Sequence, residues 1–204
     1  MAKQFTNIAF TEGVKQAQTD YGSREIYQKF EQRGISEDVL SAREIEFIGA
    51  RDSFYMGTVN SNNYPYIQFR GGPVGFLKVL HEKTLGFVDF VGNLQYLSVG
   101  NLRENDRVFL FLMDYAHRRR LKIWGRAQVI DDNPELLEAL SDPNYQAQKA
   151  RVFLIKVEAF DWNCPQHIPI RYSEAEVAQM TEPFLARIQE LEKQVAQLQT
   201  SHQS

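Results

Sequence analysis

The chain has 204 residues, 43% of them hydrophobic and 12% aromatic, which is enough apolar matter for a packed core and excludes global disorder. Charge is nearly balanced, with 23 Lys plus Arg against 26 Asp plus Glu for a net −3, which argues against a nucleic-acid binder held by broad basicity. The single cysteine, Cys164, excludes an intramolecular disulfide and a CxxC metal site. The opening MAKQFTNIAF lacks the apolar stretch of a signal peptide, and runs such as Val108–Met113 are too short to cross a bilayer. A cytoplasmic globular protein without a membrane partner is expected.

In chain order, Phe10 to Phe30 carries apolar residues at roughly helical spacing, broken near Tyr21-Gly22-Ser23 and stopped by Gly34. Ser36-Glu37-Asp38 offers a start for a second helix, whose apolar positions run from Val39 to Ile48. From Ser53 the texture changes to short runs rich in Val, Ile, Phe and Tyr, cut by turn residues. Strands are expected at 54–59, 66–70, 76–80, 85–91, 107–113, 121–130 and 151–160, with Asn60-Ser61-Asn62-Asn63 as a hairpin turn. Residues 94–102 form a short helix or a long connection, and Asp132-Asn133-Pro134 caps a helix to about Leu140. Six or seven strands joined by short turns predict an antiparallel barrel or sandwich. In the tail, Ser173 and Glu176 have capping-box spacing. Phe184, Ile188, Leu191, Val195 and Leu198 then make an a/d stripe over about two heptads, with Pro183 starting the helix. That helix either lies on the protein's own surface or forms a short coiled coil with a partner chain. The domain organisation expected is a helical segment over 1–50 packed on the barrel, a barrel over 51–172 and an amphipathic helix over 173–204.

Motifs for hydrolytic, P-loop or Rossmann chemistry are absent from the sequence. Cys164 and His167 have ligand-like spacing, but no other Cys or His lies near them, so a surface loop is preferred and no metal is expected. His117-Arg118-Arg119-Arg120-Leu121-Lys122 is a basic cluster at a strand start. Strand alternation there puts Arg118, Arg120 and Lys122 on one face and Arg119 on the other. Such a set suits a phosphate, or else is a solvated turn balanced by neighbours such as Asp114. Two further polar sets stand at strand ends: Gln68-Phe69-Arg70-Gly71-Gly72-Pro73, and Asp89 through Ser98, where Asn93, Ser98 and backbone amides could meet phosphate or the polar edge of a ring.

Taken in order, five segments resemble the pyridoxamine 5′-phosphate oxidase-like, FMN-binding split-barrel family over roughly Ala42 to Tyr172. They are Tyr64–Arg70, Gly86–Phe90 leading into Gly92–Gln95, Asn105–Phe111, Arg119–Ala127, and Trp162 followed nine residues later by Arg171. The resemblance implies a mainly β (α+β) fold: a six-stranded antiparallel split barrel with flanking N- and C-terminal helices. It also implies a homodimer holding FMN at its interface, and 14 Phe and 9 Tyr leave apolar surface for such a contact. By the same resemblance the strand Gln68-Phe69-Arg70, with Gly71 at its end, lies along the flavin. Phe87 and Val88 touch the cofactor, Asn93 to Gln95 approach the phosphate, and Arg120 reaches the flavin from the next hairpin. Trp162 and Arg171 close the site across the interface.

The sequence departs from the family pattern twice. Leu94-Gln95 stands where the family has a phosphate-binding Arg-Lys pair, so Arg70, Arg119, Arg120 or Lys122 must supply that charge, with Ser98 and backbone amides. Arg120 ranks first and Arg70 second. The substrate-gripping Arg-x-His motif is also missing before Arg171, so pyridoxamine phosphate is not the expected substrate. The reading is an FMN-dependent oxidoreductase of open substrate, in which Arg120 or Arg171 stabilises the reduced ring and no side chain acts as nucleophile. A flavin-storing protein without turnover is the second reading, and a split barrel binding haem or another planar cofactor the third.

Overall fold

The computed structural model describes residues 4–32, 39–162 and 165–201. They form two compact units, one running through Asp114 and resuming over Arg119–Pro165, the other joining Tyr115–Arg118 to the chain from Gln166 onward.

The first unit is built on β1 (Ser53–Val59), β2 (Pro65–Gly71), β3 (Lys78–His81), β4 (Thr84–Phe90), β5 (Arg107–Asp114), β6 (Arg119–Ile130) and β7 (Lys149–Trp162). They make one sheet in the order β2-β1-β5-β6-β7-β4-β3, with every neighbouring pair antiparallel. The antiparallel architecture is as expected, with seven strands where the resemblance implies six. Alternation explains the curl: on β5, Val108, Leu110 and Leu112 point inward, and Phe54 and Met56 of β1 and Leu121 and Ile123 of β6 meet them in one core. A smaller cluster gathers Val88 of β4 and Val152 of β7 with Leu140 from the helix Pro134–Leu140.

Turn chemistry fixes the hairpins. Asn63 takes φ 65°, and the Asn60 side-chain oxygen accepts from the amides of Asn62 and Tyr64, both at 3.0 Å. Between β6 and β7 the register shifts at Trp124/Gly125, where a Cβ on Gly125 would lie 2.5 Å from the Lys156 carbonyl oxygen. Gly125→Ala must therefore push two paired strands apart. It is expected to cost about 1–3 kcal/mol in urea unfolding, and an unchanged midpoint would mean the strands part freely there.

The helices are α1 (Gln4–Ala9), α2 (Glu12–Asp20), α3 (Arg24–Gln32), α4 (Ala42–Gly49), α5 (Leu97–Glu104), α6 (Pro134–Leu140) and α7 (Glu174–Ser201). The break near Tyr21 separates α2 from α3, with Gly22 at φ 74°. Gly34 and Ser36–Asp38 lie outside the described residues. The second helix begins later than the apolar pattern suggests: Leu40 donates its amide to the Glu82 carbonyl at 2.8 Å, which holds it against the β3–β4 turn. Ser41 then caps α4 in a capping box with Glu44. α1 lies within the helical stretch expected over 1–50, ahead of the apolar pattern that begins at Phe10, and its Phe5 ring centre lies 5.2 Å from that of Trp124.

In the second unit, α7 runs unbroken for 28 residues with Pro183 inside it, which corrects the expectation that Pro183 starts the helix. The Ser173 cap explains this. Ser173 donates its amide to Glu176 at 2.7 Å and accepts from the Glu176 amide, so the helix is under way two turns before the proline. No helix among the described residues is long and apolar enough to cross a membrane.

Candidate functional site

A polar cleft of the first unit, about 470 Å³, opens where β2, β4 and the start of β7 meet the segment leading into α5. That volume suits a small organic ligand. Inward alternation on β2 sends Gln68 and Arg70 into it, while Phe69 points outward and packs 5.7 Å from Tyr55. Ser98, buried in the first turn of α5, donates its hydroxyl to the Gln68 side-chain oxygen at 2.8 Å. The α5 helix is anchored to β1 in turn by Asn101, which donates to the Thr58 hydroxyl at 2.9 Å.

Asp89 is the electrostatic centre of the cleft. Arg70 donates to it from β2, and Arg151, its directly opposed neighbour on β7, approaches with Nε at 3.6 Å. Arg151 also pairs with Asp131 at 2.9 Å, and its guanidinium carbon lies 5.2 Å from the Tyr96 ring centre. Burial pushes the Asp89 carboxyl above its ordinary range, against the pull of the two arginines. Burial likewise draws the Arg70 guanidinium down, with Asp89 opposing the shift. The Nε atoms of Arg70 and Arg151 are both buried without a hydrogen-bond partner among the described residues. Lys149 also lines the cleft, and its ammonium pairs with Glu138 at 3.0 Å.

The wall from Phe90 to Tyr96 is shaped by backbone. Leu94 and Tyr96 take φ 61° and 54°, the left-handed region that ordinary residues avoid, and the Asn93 side-chain oxygen accepts from the Gln95 amide at 3.2 Å. Strain of this kind, of order 1–3 kcal/mol per residue, concentrates at ligand clamps.

Of the residues expected from sequence, the cleft gathers Gln68, Arg70, Asn93 and Ser98, with Gln95 hydrogen-bonded beside Asn93. Gly71 ends β2 next to it. The side chains of Phe87 and Val88 are buried in the two hydrophobic clusters, because β4 is covered on both faces. Arg119, Arg120 and Lys122 lie on β6, outside the cleft lining. Arg119 pairs with buried Asp114 at 2.9 Å and Lys122 with Asp161 at 2.8 Å. Arg120 keeps a buried Nε without a partner among the described residues. The single cationic face expected for Arg118, Arg120 and Lys122 is corrected. Arg118 sits at φ 51° in the turn before β6, and strand alternation does not reach it.

Trp162 closes β7 and donates its Nε1–H to Glu44 at 2.7 Å, with Phe47 edge-on at 4.7 Å and the Arg43 guanidinium 4.3 Å from its ring. Burial alone would raise the Glu44 carboxyl, but the hydrogen bonds from Ser41 and Trp162 outweigh it and hold it below its ordinary range. The stability this adds is complete above the ordinary glutamate pKa and is lost as pH falls through the depressed one. Glu44→Gln is expected to cost about 1–3 kcal/mol at neutral pH. The gap from wild type should narrow in acid when urea unfolding is compared at the two pH values, and a gap that widens in acid would contradict the assignment. Arg171 belongs to the second unit, where its guanidinium carbon lies 5.1 Å from the Tyr115 ring. Cys164 lies outside the described residues, and among those described no cluster of three His, Cys, Asp or Glu could hold a metal.

Sequence reasoning passed over Arg151 and the Gln148–Ala150 approach to it. The signal was a cation in a strand otherwise rich in apolar residues, Val152-Phe153-Leu154-Ile155.

A seven-stranded antiparallel sheet curled on one core, with a polar cleft at its strand ends, defines a split-barrel protein. Among solved structures, a variant of HupZ from Group A Streptococcus is similar at 15% identity and TM-score 0.50, over 61% of this chain and 99% of that one. An FMN-binding protein from Syntrophomonas wolfei subsp. wolfei is similar at 13% identity and TM-score 0.46, over 72% of this chain and 97% of that one. HutZ, the heme storage protein from Vibrio cholerae, is similar at 16% identity and TM-score 0.42, over 60% and 94%. No curated protein matches the sequence significantly. The family model for pyridoxamine 5′-phosphate oxidase matches residues 42–163, well over half of the chain. The chain belongs to the pyridoxamine 5′-phosphate oxidase family.

Proposed function

We propose that this chain is an FMN-binding flavoprotein and an oxidoreductase for a small molecule other than pyridoxamine phosphate, acting in the cytoplasm as a homodimer. The observation that carries the reading is the pair of buried Nε–H donors on Arg70 and Arg151, either side of Asp89 in the cleft. A guanidinium with an unused buried donor suits a phosphate oxygen, and charge-assisted contacts of that kind are the strong ones. Lys149, whose ammonium pairs with Glu138 at 3.0 Å, lines the same cleft, and α5 starts at the same wall, where helix amides favour an anion. These groups compensate for Leu94-Gln95. Gln68, with its side-chain oxygen taken by Ser98, keeps its amide N–H groups for the carbonyl edge of a ring. The lining has no His or Cys among the described residues, which favours flavin over haem, whose iron takes such ligands.

Bound FMN supplies hydride transfer, and the protein's part is to orient the ring and exclude water. Arg120, Trp162 and Arg171, with Arg119 and Lys122 nearby on β6, are proposed to act on the second copy's flavin. The outer face of β1, β2 and β5 supports the homodimer. Tyr55, Ile67 and Phe69 are exposed there beside an apolar groove of about 490 Å³ floored by Phe109, Phe111 and Trp124. Purified protein should absorb in the flavin bands and oxidise NAD(P)H with quinone or flavin acceptors. Flavin absorbance without turnover would select the storage reading, and a monomeric sedimentation mass at full flavin load would remove the homodimer.

A further inference from the structure

We infer that α7 forms a parallel, in-register two-stranded coiled coil with the same helix of a second copy of this chain. The stripe that sequence suggested over two heptads extends over three, because α7 continues through Pro183. Val177, Phe184, Leu191 and Leu198 fall at d, and Thr181, Ile188 and Val195 at a. Every apolar member of that stripe is 43–70% exposed in the single chain. Pro183 falls at c, on the outer face, where the helix passes without placing the ring in the seam. The stripe spans about 30 Å.

Residue types choose the geometry. β-branched Ile188 and Val195 at a, with Leu191 and Leu198 at d, are the combination that favours parallel dimers. Charges choose the partner. In a parallel pair each g residue faces the e residue five positions on in the other helix, so Arg187 faces Glu192 of the second copy, twice by symmetry. The preceding g–e pair, Met180 with Leu185, is apolar on both sides and widens the seam. An antiparallel pair sets e against e and g against g. It never brings Arg187 to Glu192, and its registers leave Glu192 against Leu185 or like charges opposed. The self-complementary pattern therefore commits α7 to a second copy of itself, independently of what the cleft binds.

The test uses the 204-residue chain with Cys164→Ser, which leaves no native thiol in it. Leu191→Cys at d should then yield a disulfide-linked dimer under copper-phenanthroline oxidation, while Lys193→Cys at f should cross-link far less. Both sites are on the exposed helix, so folding is not at stake, and flavin content is measured in parallel. Adding Arg187→Glu to the Leu191→Cys chain should slow cross-linking by about threefold, in keeping with a surface ion pair, and adding Glu192→Arg as well should restore it. Equal cross-linking at 191 and 193, or none at 191 in a protein that still sediments as a dimer, would overturn the coiled coil. Either result leaves the flavin reading standing, since chromophore content reports on that separately.

Discussion

Replacing Arg70 with Ala is expected to weaken FMN binding by about ten- to a hundredfold, while riboflavin, which lacks the phosphate, loses much less. The side chain is only 10% exposed, so water cannot substitute for it. One nitrogen pairs with Asp89, Nε has no hydrogen-bond partner among the described residues, and the guanidinium carbon lies 5.1 Å from the Phe153 ring centre. The substitution also leaves Asp89 with Arg151 alone, at 3.6 Å, and some global destabilisation accompanies it. Arg70→Lys separates the two effects: the charge beside Asp89 survives while the fork is lost, so stability should recover more than FMN affinity. Fluorescence titration of both ligands against both variants reads the outcome. Equal losses for FMN and riboflavin would mean that Arg70 contacts the ring, and unchanged affinity for both would remove it from the site.

Phe87→Ala is expected to cost about 3–5 kcal/mol of folding stability, as deletion of a fully buried aromatic ring does. Phe87 is 1% exposed, stacked on Phe153 at 4.9 Å and met edge-on by Phe54 at 5.3 Å. It also floors the cleft indirectly, since the Arg70 guanidinium carbon stands 5.9 Å from its ring centre. Urea unfolding of the flavin-free protein checks it. A loss below about 1 kcal/mol would place the ring in a site that collapses easily.

Strand alternation made the fold legible. Val108, Leu110 and Leu112 announce a face, and Asn60–Asn63 announce a turn, because period and turn chemistry are local properties. Part of the cleft was legible for the same reason, since Gln68, Arg70, Asn93 and Ser98 sit at strand ends and in polar connections. Arg151 was not, because its meaning comes from register: it matters by standing opposite Asp89, 62 positions earlier in the chain. The partners of the basic cluster were hidden for the same reason. Local spacing shows Arg119 and Lys122 as bare cations, while Asp161, which neutralises Lys122, arrives from β7 through cross-strand pairing. Arg118 and Pro183 show the limits of periodicity, the first taken out of the strand by a left-handed turn, the second absorbed into a helix already nucleated at Ser173.

In the function proposed, the cleft around Arg70, Asp89 and Arg151 holds a phosphorylated flavin. The most direct measurement is mass spectrometry of the chromophore released when the purified 204-residue chain is denatured. FMN is expected at close to one molecule per chain in wild type and depleted in Arg70→Ala. Release of haem, of a deazaflavin or of unphosphorylated riboflavin from wild type would contradict it.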